Sequence, residues 1–205
     1  MPTEEQPIYN PYAYYYLASG IDIRAGQKLT IPNRIITKLA FMLCKVNSPT
    51  GDVTFTIRKV SDDSIINSKI WGNASVLPDY PSYQYQEVTF DTPVLINQEV
   101  RILCEFSGGN VSNAIGLNYC SSTVKPNECF TYYKTNYSDV GYDAVYVYTY
   151  TIPLSPPADN TIVKPKVSLE AIRNIEMSTM GRVYVDEQGN FTYESRYARN
   201  PHDFI

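Results

Sequence analysis

The feature that most constrains this chain is a two-residue alternation of apolar and polar side chains, broken again and again by turn signals. Val53, Phe55 and Ile57 alternate with Thr54, Thr56 and Arg58, and Val100, Ile102, Cys104 and Phe106 alternate with Arg101, Leu103 and Glu105. A strand places successive side chains on opposite faces, so this period marks half-buried β-strands. The spacing predicts strands over 12–18, 28–31, 35–46, 52–60, 64–71, 86–90, 99–106, 114–119, 129–133 and 143–151. Between them lie Ser19-Gly20, Pro32-Asn33, Ser48-Pro49-Thr50-Gly51-Asp52, Gly72-Asn73 and Ser107-Gly108-Gly109-Asn110, all turn chemistry. In 35–46 both faces are apolar, which suits a strand covered on two sides. Many strands with no helix signal between them predict an antiparallel sandwich or barrel.

The C-terminal quarter departs from this pattern. Pro153-Leu154-Ser155-Pro156-Pro157 reads as part of a linker over 152–166. Ser168 stands as the cap of a helix over 169–179, and Gly181 as its stop. Two short strands, 182–185 and 190–195, then flank Asp186-Glu187-Gln188-Gly189. The expected order is therefore an arm (1–11), a β domain (12–151), the linker, and a helix–hairpin unit (167–205). That last unit is small for independent folding. Its apolar set, Leu169, Ile172, Ile175, Val183, Val185, Phe191 and Tyr193, is assigned to packing or docking against another surface.

Composition narrows the function. The chain has 205 residues with 17 basic and 21 acidic side chains, a formal charge of -4. It therefore lacks the electrostatic footprint of a nucleic-acid binder. No apolar run approaches the roughly 18 residues of a membrane span. The first residues lack the basic and apolar regions of a signal peptide. No Gly-x-Ser-x-Gly, HExxH, P-loop or dinucleotide fingerprint occurs, and the single histidine, His202, leaves no material for a histidine-based triad. The expectation is a non-enzymatic protein without a cofactor.

Tyrosine is the outlier: 19 Tyr against seven Phe and one Trp. Tyr favours half-buried strands and wet interfaces. Two stretches combine rings with planar polar groups as a glycan site requires: Trp71 with Tyr80, Tyr83 and Tyr85, and Tyr132, Tyr133 and Tyr137. The competing reading gives these rings to packing or a subunit interface. Asp139 and Asp143, with Asp22 and Asp52, are candidate oxygen ligands for a structural calcium. Cys44 and Cys104 sit in apolar runs and read as buried thiols, with a cross-sheet disulfide as the alternative. Cys120 and Cys129 flank a polar loop that a disulfide would close.

Two segments resemble known families. Leu29-Thr30-Ile31-Pro32-Asn33, Ile36-Thr37-Lys38-Leu39-Ala40-Phe41, and Ser48-Pro49-Thr50-Gly51-Asp52 followed by the alternating strand to Arg58 resemble jelly-roll β-sandwich modules of the carbohydrate-binding type. Within 167–199, Leu169-Glu170-Ala171-Ile172-Arg173-Asn174-Ile175 and then Met180-Gly181-Arg182-Val183-Tyr184-Val185 with Asp186 to Arg196 are similar to a helix-plus-hairpin segment of phage tail and related virion proteins. The resemblance implies a jelly-roll-like β-sandwich with a helix–hairpin appendage. It implies a virion structural or appendage protein, tail or capsid-decorating, located on the particle. Its expected partners are other virion proteins and further copies of itself. The alternative is a glycan-binding adhesin that contacts a host surface.

Overall fold

The computed structural model describes residues 1–153, together with the backbone strands Gly181–Val185 and Phe191–Ser195. The chain divides into two units, Met1–Pro153 and Leu154–Ile205. The predicted helix 169–179 and most of the linker lie outside the described residues.

The first unit is mainly β and antiparallel. Its strands are β1 (Thr3–Gln6), β2 (Tyr14–Leu17), β3 (Arg24–Val46), β4 (Asp52–Lys59), β5 (Ile65–Asn73), β6 (Gln84–Glu105), β7 (Ala114–Cys120), β8 (Cys129–Tyr133), β9 (Tyr137–Val140), β10 (Asp143–Ala144) and β11 (Tyr146–Thr151). All eleven belong to one hydrogen-bonded network. Its trunk is β3. Along one edge β3 pairs with β6 from Arg24↔Glu105 to Leu43↔Gln84. Along the other it pairs in turn with β8, β11 and β7. β4 pairs with the second half of β6, and β5 pairs with β4.

Two pairs of predicted strands are thus single long strands. Pro32-Asn33 is not a hairpin turn but an irregularity inside β3, where the register slips between Ile31 and Arg34. Proline has no N–H to donate, so within a sheet it belongs at such a bulge. Asn33 takes φ 44 there, and its N–H is caught by the Asn97 side chain across the ladder at 3.0 Å. A second slip between Ile36 and Lys38 faces the Asp91-Thr92-Pro93 stretch of β6.

These bends double the β3–β6 ribbon over. Phe55 of β4 lies two strands from Ala25 of β3, by way of Cys104. Phe41 stands sixteen residues further along β3 (25 to 41), roughly 53 Å if the strand ran straight. Yet the Phe41 and Phe55 rings are only 5.2 Å apart. Both are fully buried, with Leu39, Leu43, Val53, Ile57, Val100, Ile102 and Tyr146 in the same core. The inward residues are those that the alternation assigns to one face.

The first residues do not form a free arm. β1 pairs with β11 of its own chain, Thr3↔Thr149 to Gln6↔Tyr146. No apolar side chain drives this pairing. Gln6 is fully buried and donates to the Ala144 carbonyl at 3.2 Å. Glu4 is held by Lys125 and Arg34 at 2.6 and 3.2 Å.

In the second unit β12 (Gly181–Val185) pairs antiparallel with β13 (Phe191–Ser195), as the expected hairpin requires. Among the described residues no helix is long and apolar enough to cross a membrane.

Candidate functional site

The period-2 rule splits the tyrosine run of β2. Tyr15 faces the core, against Phe130 and Tyr132 at 5.2 and 4.9 Å, and donates to Asp22 at 2.7 Å. Tyr14 and Tyr16 face away from it, with their hydroxyls 2.7 Å apart. The 79–83 turn brings two more rings to that face: Tyr80 N–H donates to the Lys45 carbonyl at 2.9 Å, and Ser82 N–H to that of Asp79 at 2.8 Å. The Tyr14 ring lies 4.7 Å from Tyr80 and 6.4 Å from Tyr83.

Beside this cluster opens a cleft of about 290 Å³ lined by Tyr9, Pro11, Tyr12, Met42, Pro81 and Tyr83. Tyr85 faces Met42 across the β3–β6 ladder and therefore flanks the cleft. Tyr12, Tyr80 and Tyr85 are 75%, 38% and 41% exposed. Burial pushes the hydroxyls of Tyr14 and Tyr83 above the ordinary phenol range, so both stay neutral. Burial also pushes the Cys44 thiol behind Tyr83 up to about 12, which removes it as a nucleophile. The lining therefore offers aromatic faces and neutral hydrogen-bonding groups, with no charged side chain among them.

The seven aromatic residues singled out from the sequence do not form one surface. Tyr83 lines the cleft together with Tyr9 and Tyr12 from the N-terminal stretch, while Tyr80 and Tyr14 pack beside it and Tyr85 flanks it. Tyr9, Tyr12 and Tyr14 were missed as ligand contacts because their adjacency is created by the sheet, not by sequence spacing. Trp71 and Tyr132 instead pack against the core. Tyr133 and Tyr137 belong to a charged lattice. Arg24 lies over the Tyr133 ring at 4.6 Å and Arg101 over the Tyr137 ring at 3.9 Å. The Tyr137 hydroxyl donates to Asp63 at 2.7 Å.

That lattice explains the polar face of β4 and β6. Arg58 and Arg101 are directly opposite each other, and Arg101 is opposite Lys28. Three cations in a row demand anions. Glu105 accepts from Arg58 Nε at 2.7 Å and from Thr56 at 2.5 Å. Asp139 accepts from Thr131 at 2.7 Å and Lys28 at 3.0 Å, with Arg101 at 3.7 Å. Burial alone would raise the Asp139 carboxyl, but Thr131, Lys28 and Arg101 together hold it below its ordinary value.

The same contacts engage the two carboxylates singled out as calcium ligands. Asp139 is already neutralised by cations. Asp143 is fully buried and accepts from Gln27 at 2.6 Å and from the N–H groups of Val124 and Lys125 at 2.5 and 3.0 Å. Its task is to fix the 121–128 loop. Among the described residues no group of three His, Cys, Asp or Glu side chains is arranged to hold a metal ion.

All four cysteines are free thiols, and Cys120 Sγ meets Ser122 Oγ at 3.2 Å instead of Cys129. Of the docking residues, Leu169, Ile172 and Ile175 lie outside the described residues. Val183, Val185, Phe191 and Tyr193 lie on the paired hairpin strands. Comparison with protein-family models and with curated proteins finds no match for this chain.

Proposed function

We propose that this chain is a non-enzymatic structural or appendage protein of a virus particle, tail or capsid-decorating. In this reading a jelly-roll-like β-sandwich makes contacts through the tyrosine cleft, and the 154–205 unit serves assembly with other virion proteins and further copies. The contact role rests on one observation: the exposed Tyr9 and Tyr12 line one cleft with Tyr83 and no charged side chain, and the exposed Tyr80 and Tyr85 lie beside it. Tyr supplies large, stiff, amphipathic contact area at low entropic cost, which is why such clusters mark contact surfaces. The virion setting rests on the resemblance of 167–199, supported by the pairing of its two strands. Light scattering of the full chain and of a 1–153 fragment tests the assembly role. Oligomers of the full chain that the fragment does not form are expected. A monomeric full chain overturns it.

The second reading, a glycan-binding module of adhesin type, is favoured by the lining itself. Aromatic faces stack on the apolar faces of sugar rings, and neutral hydroxyls orient them. A glycan array tests it, with Tyr83→Ala expected to remove the signal. A wild-type chain that binds no glycan overturns it.

A further inference from the structure

Three tyrosine hydroxyls among the described residues donate to a carboxylate: Tyr137 to Asp63, Tyr146 to Glu128 and Tyr15 to Asp22, each at 2.7 Å. The first two are completed by a cation of the same chain. Arg24 pairs with Asp63 at 2.8 Å, and Arg101 lies over the Tyr137 ring at 3.9 Å. Lys125 stands 5.5 Å from the centre of the Tyr146 ring. Arg34 repeats the arrangement, paired with Glu4 at 3.2 Å and lying over Tyr150 at 4.1 Å. Tyr15 and Asp22 are the exception. Among the described residues no lysine or arginine pairs with Asp22 or lies over Tyr14, Tyr15 or Tyr16.

The exception lies on an open cleft of about 460 Å³, lined by Tyr14, Tyr15, Tyr16, Ile21, Asp22 and Val111. β2 pairs only with β7, so its other edge is unpaired and residues from both of its faces reach one cleft. The 18–22 turn carries Asp22 back beside β2: Ile21 N–H donates to the Ala18 carbonyl at 3.3 Å, and Ala18 N–H to that of Asp22 at 3.1 Å. Gly20 supplies the left-handed residue of that turn, at φ 84. Ser19 N–H donates to the Gly108 carbonyl at 2.9 Å, which anchors the stretch leading to Val111. Tyr16 and Val111 are 40% and 68% exposed, so the mouth faces solvent. Burial, with Asp22 beside it, pushes the Tyr15 hydroxyl above the ordinary phenol range, so it stays a donor. It occupies one of the roughly four acceptor positions of a carboxylate.

We infer that this cleft binds a guanidinium from outside the chain, an arginine side chain of a partner protein, with Asp22 as its counterion and the β2 tyrosines as its stacking surface. The site stands apart from the sugar reading: its cleft shares no lining residue with that of Tyr83. Three tyrosines, one carboxylate and no basic side chain line it, which is complementary to a cation. A guanidinium is weakly hydrated, stacks on aromatic faces and meets a carboxylate with a planar fork. A lysine ammonium holds its water more tightly and has no fork. The chain itself shows the preference: arginine makes four of the five cation–ring contacts among the described residues.

The test is a two-dimensional amide NMR titration of the full chain with N-acetylarginine methylamide and with its lysine and citrulline counterparts. Citrulline keeps the shape of arginine and loses its charge. Saturable shifts at Tyr14, Tyr15, Tyr16, Asp22 and Val111 are expected with arginine, weaker binding with lysine, and none with citrulline. Asp22→Asn keeps an acceptor for Tyr15 and should weaken binding about tenfold, the effect of one charge-assisted hydrogen bond. Tyr16→Ala, at an exposed ring, should weaken it roughly threefold. No saturable shift at these residues overturns the site, as does equal binding of citrulline or unchanged binding by Asp22→Asn. Lysine binding ahead of arginine overturns the guanidinium assignment. If the Asp22→Asn spectrum shows a chain that has not folded, citrulline and Tyr16→Ala decide: equal binding in either comparison overturns the site.

Discussion

Phe41 and Phe55 meet edge to face at 88° and 5.2 Å, although the strands that carry them never pair. Their contact closes the doubled ribbon of β3 and β6, so the core depends on it. Phe55→Ala is expected to cost about 3–5 kcal/mol in denaturant unfolding. A double-mutant cycle with Phe41→Ala should show a coupling of about 0.5–1.5 kcal/mol. Strict additivity would mean that the ribbon is closed elsewhere.

In the cation row, Glu105 answers Arg58, and Arg24 beside it, while Asp139 answers Lys28 and Arg101. The Glu105 side chain is 19% exposed and that of Arg58 is 10%, so little solvent screens the pair. Removing Glu105 leaves the nearly buried Arg58 charge with only the longer ion pair to Asp63 at 3.5 Å. Glu105→Ala should therefore destabilise by about 3–5 kcal/mol. Glu105→Gln, which keeps an acceptor for Arg58 and Thr56, should cost less. Equal losses would show that packing, not charge, is at stake.

Two carboxyls give opposite pH signatures. Burial alone would raise Glu4, but Lys125 and Arg34 overcome it and hold the carboxyl below its ordinary value. Its stabilising effect is therefore present above that value and lost as pH falls through the lower folded value. Glu128 is pushed up, by burial first and by Asp143 as well, against offsets from Tyr146, Lys125 and Gln27. Its ionised form costs stability at neutral pH, and the cost fades as acid protonates it. Glu4→Gln should lower the melting temperature at pH 7 and converge with wild type in acid. Glu128→Gln should raise it at pH 7, again converging in acid. The reverse signs would contradict these contacts.

Much of the fold was legible in the alternation. Val53, Phe55 and Ile57 are buried as their spacing requires, and Cys129–Tyr133 is a strand as expected. What failed was the reading of proline. Pro32-Asn33 looks like a strand end, yet tertiary pairing on both sides carries β3 through it as a bulge. β1 left no period-2 signal because Glu4 and Gln6, not apolar groups, anchor it. The 134–137 stretch read as a loop because β9, Tyr137–Val140, is short and satisfied by charge and phenol contacts. Part of the cleft and its surround was visible in Tyr80, Tyr83 and Tyr85. The rest, Tyr9 to Tyr14, is brought there only by the β2–β7 pairing.

The free cysteines make a direct chemical prediction. Four thiols should react with a thiol reagent after unfolding without reductant, and Cys104, fully buried, should stay protected in the native chain. Two reactive thiols in the unfolded chain would indicate a disulfide, with Cys120–Cys129 the expected pair.

In the proposed function the tyrosine cleft is the contact surface. Tyr12 and Tyr80 are exposed rings at its edge, so removing both should leave folding intact. A neutral-glycan array read in parallel on wild type and a Tyr12→Ala/Tyr80→Ala variant tests this most directly. The expected result is binding by the wild type and loss of signal in the variant at an unchanged melting temperature. Equal signal from the two chains would place the contact surface elsewhere and contradict the claim.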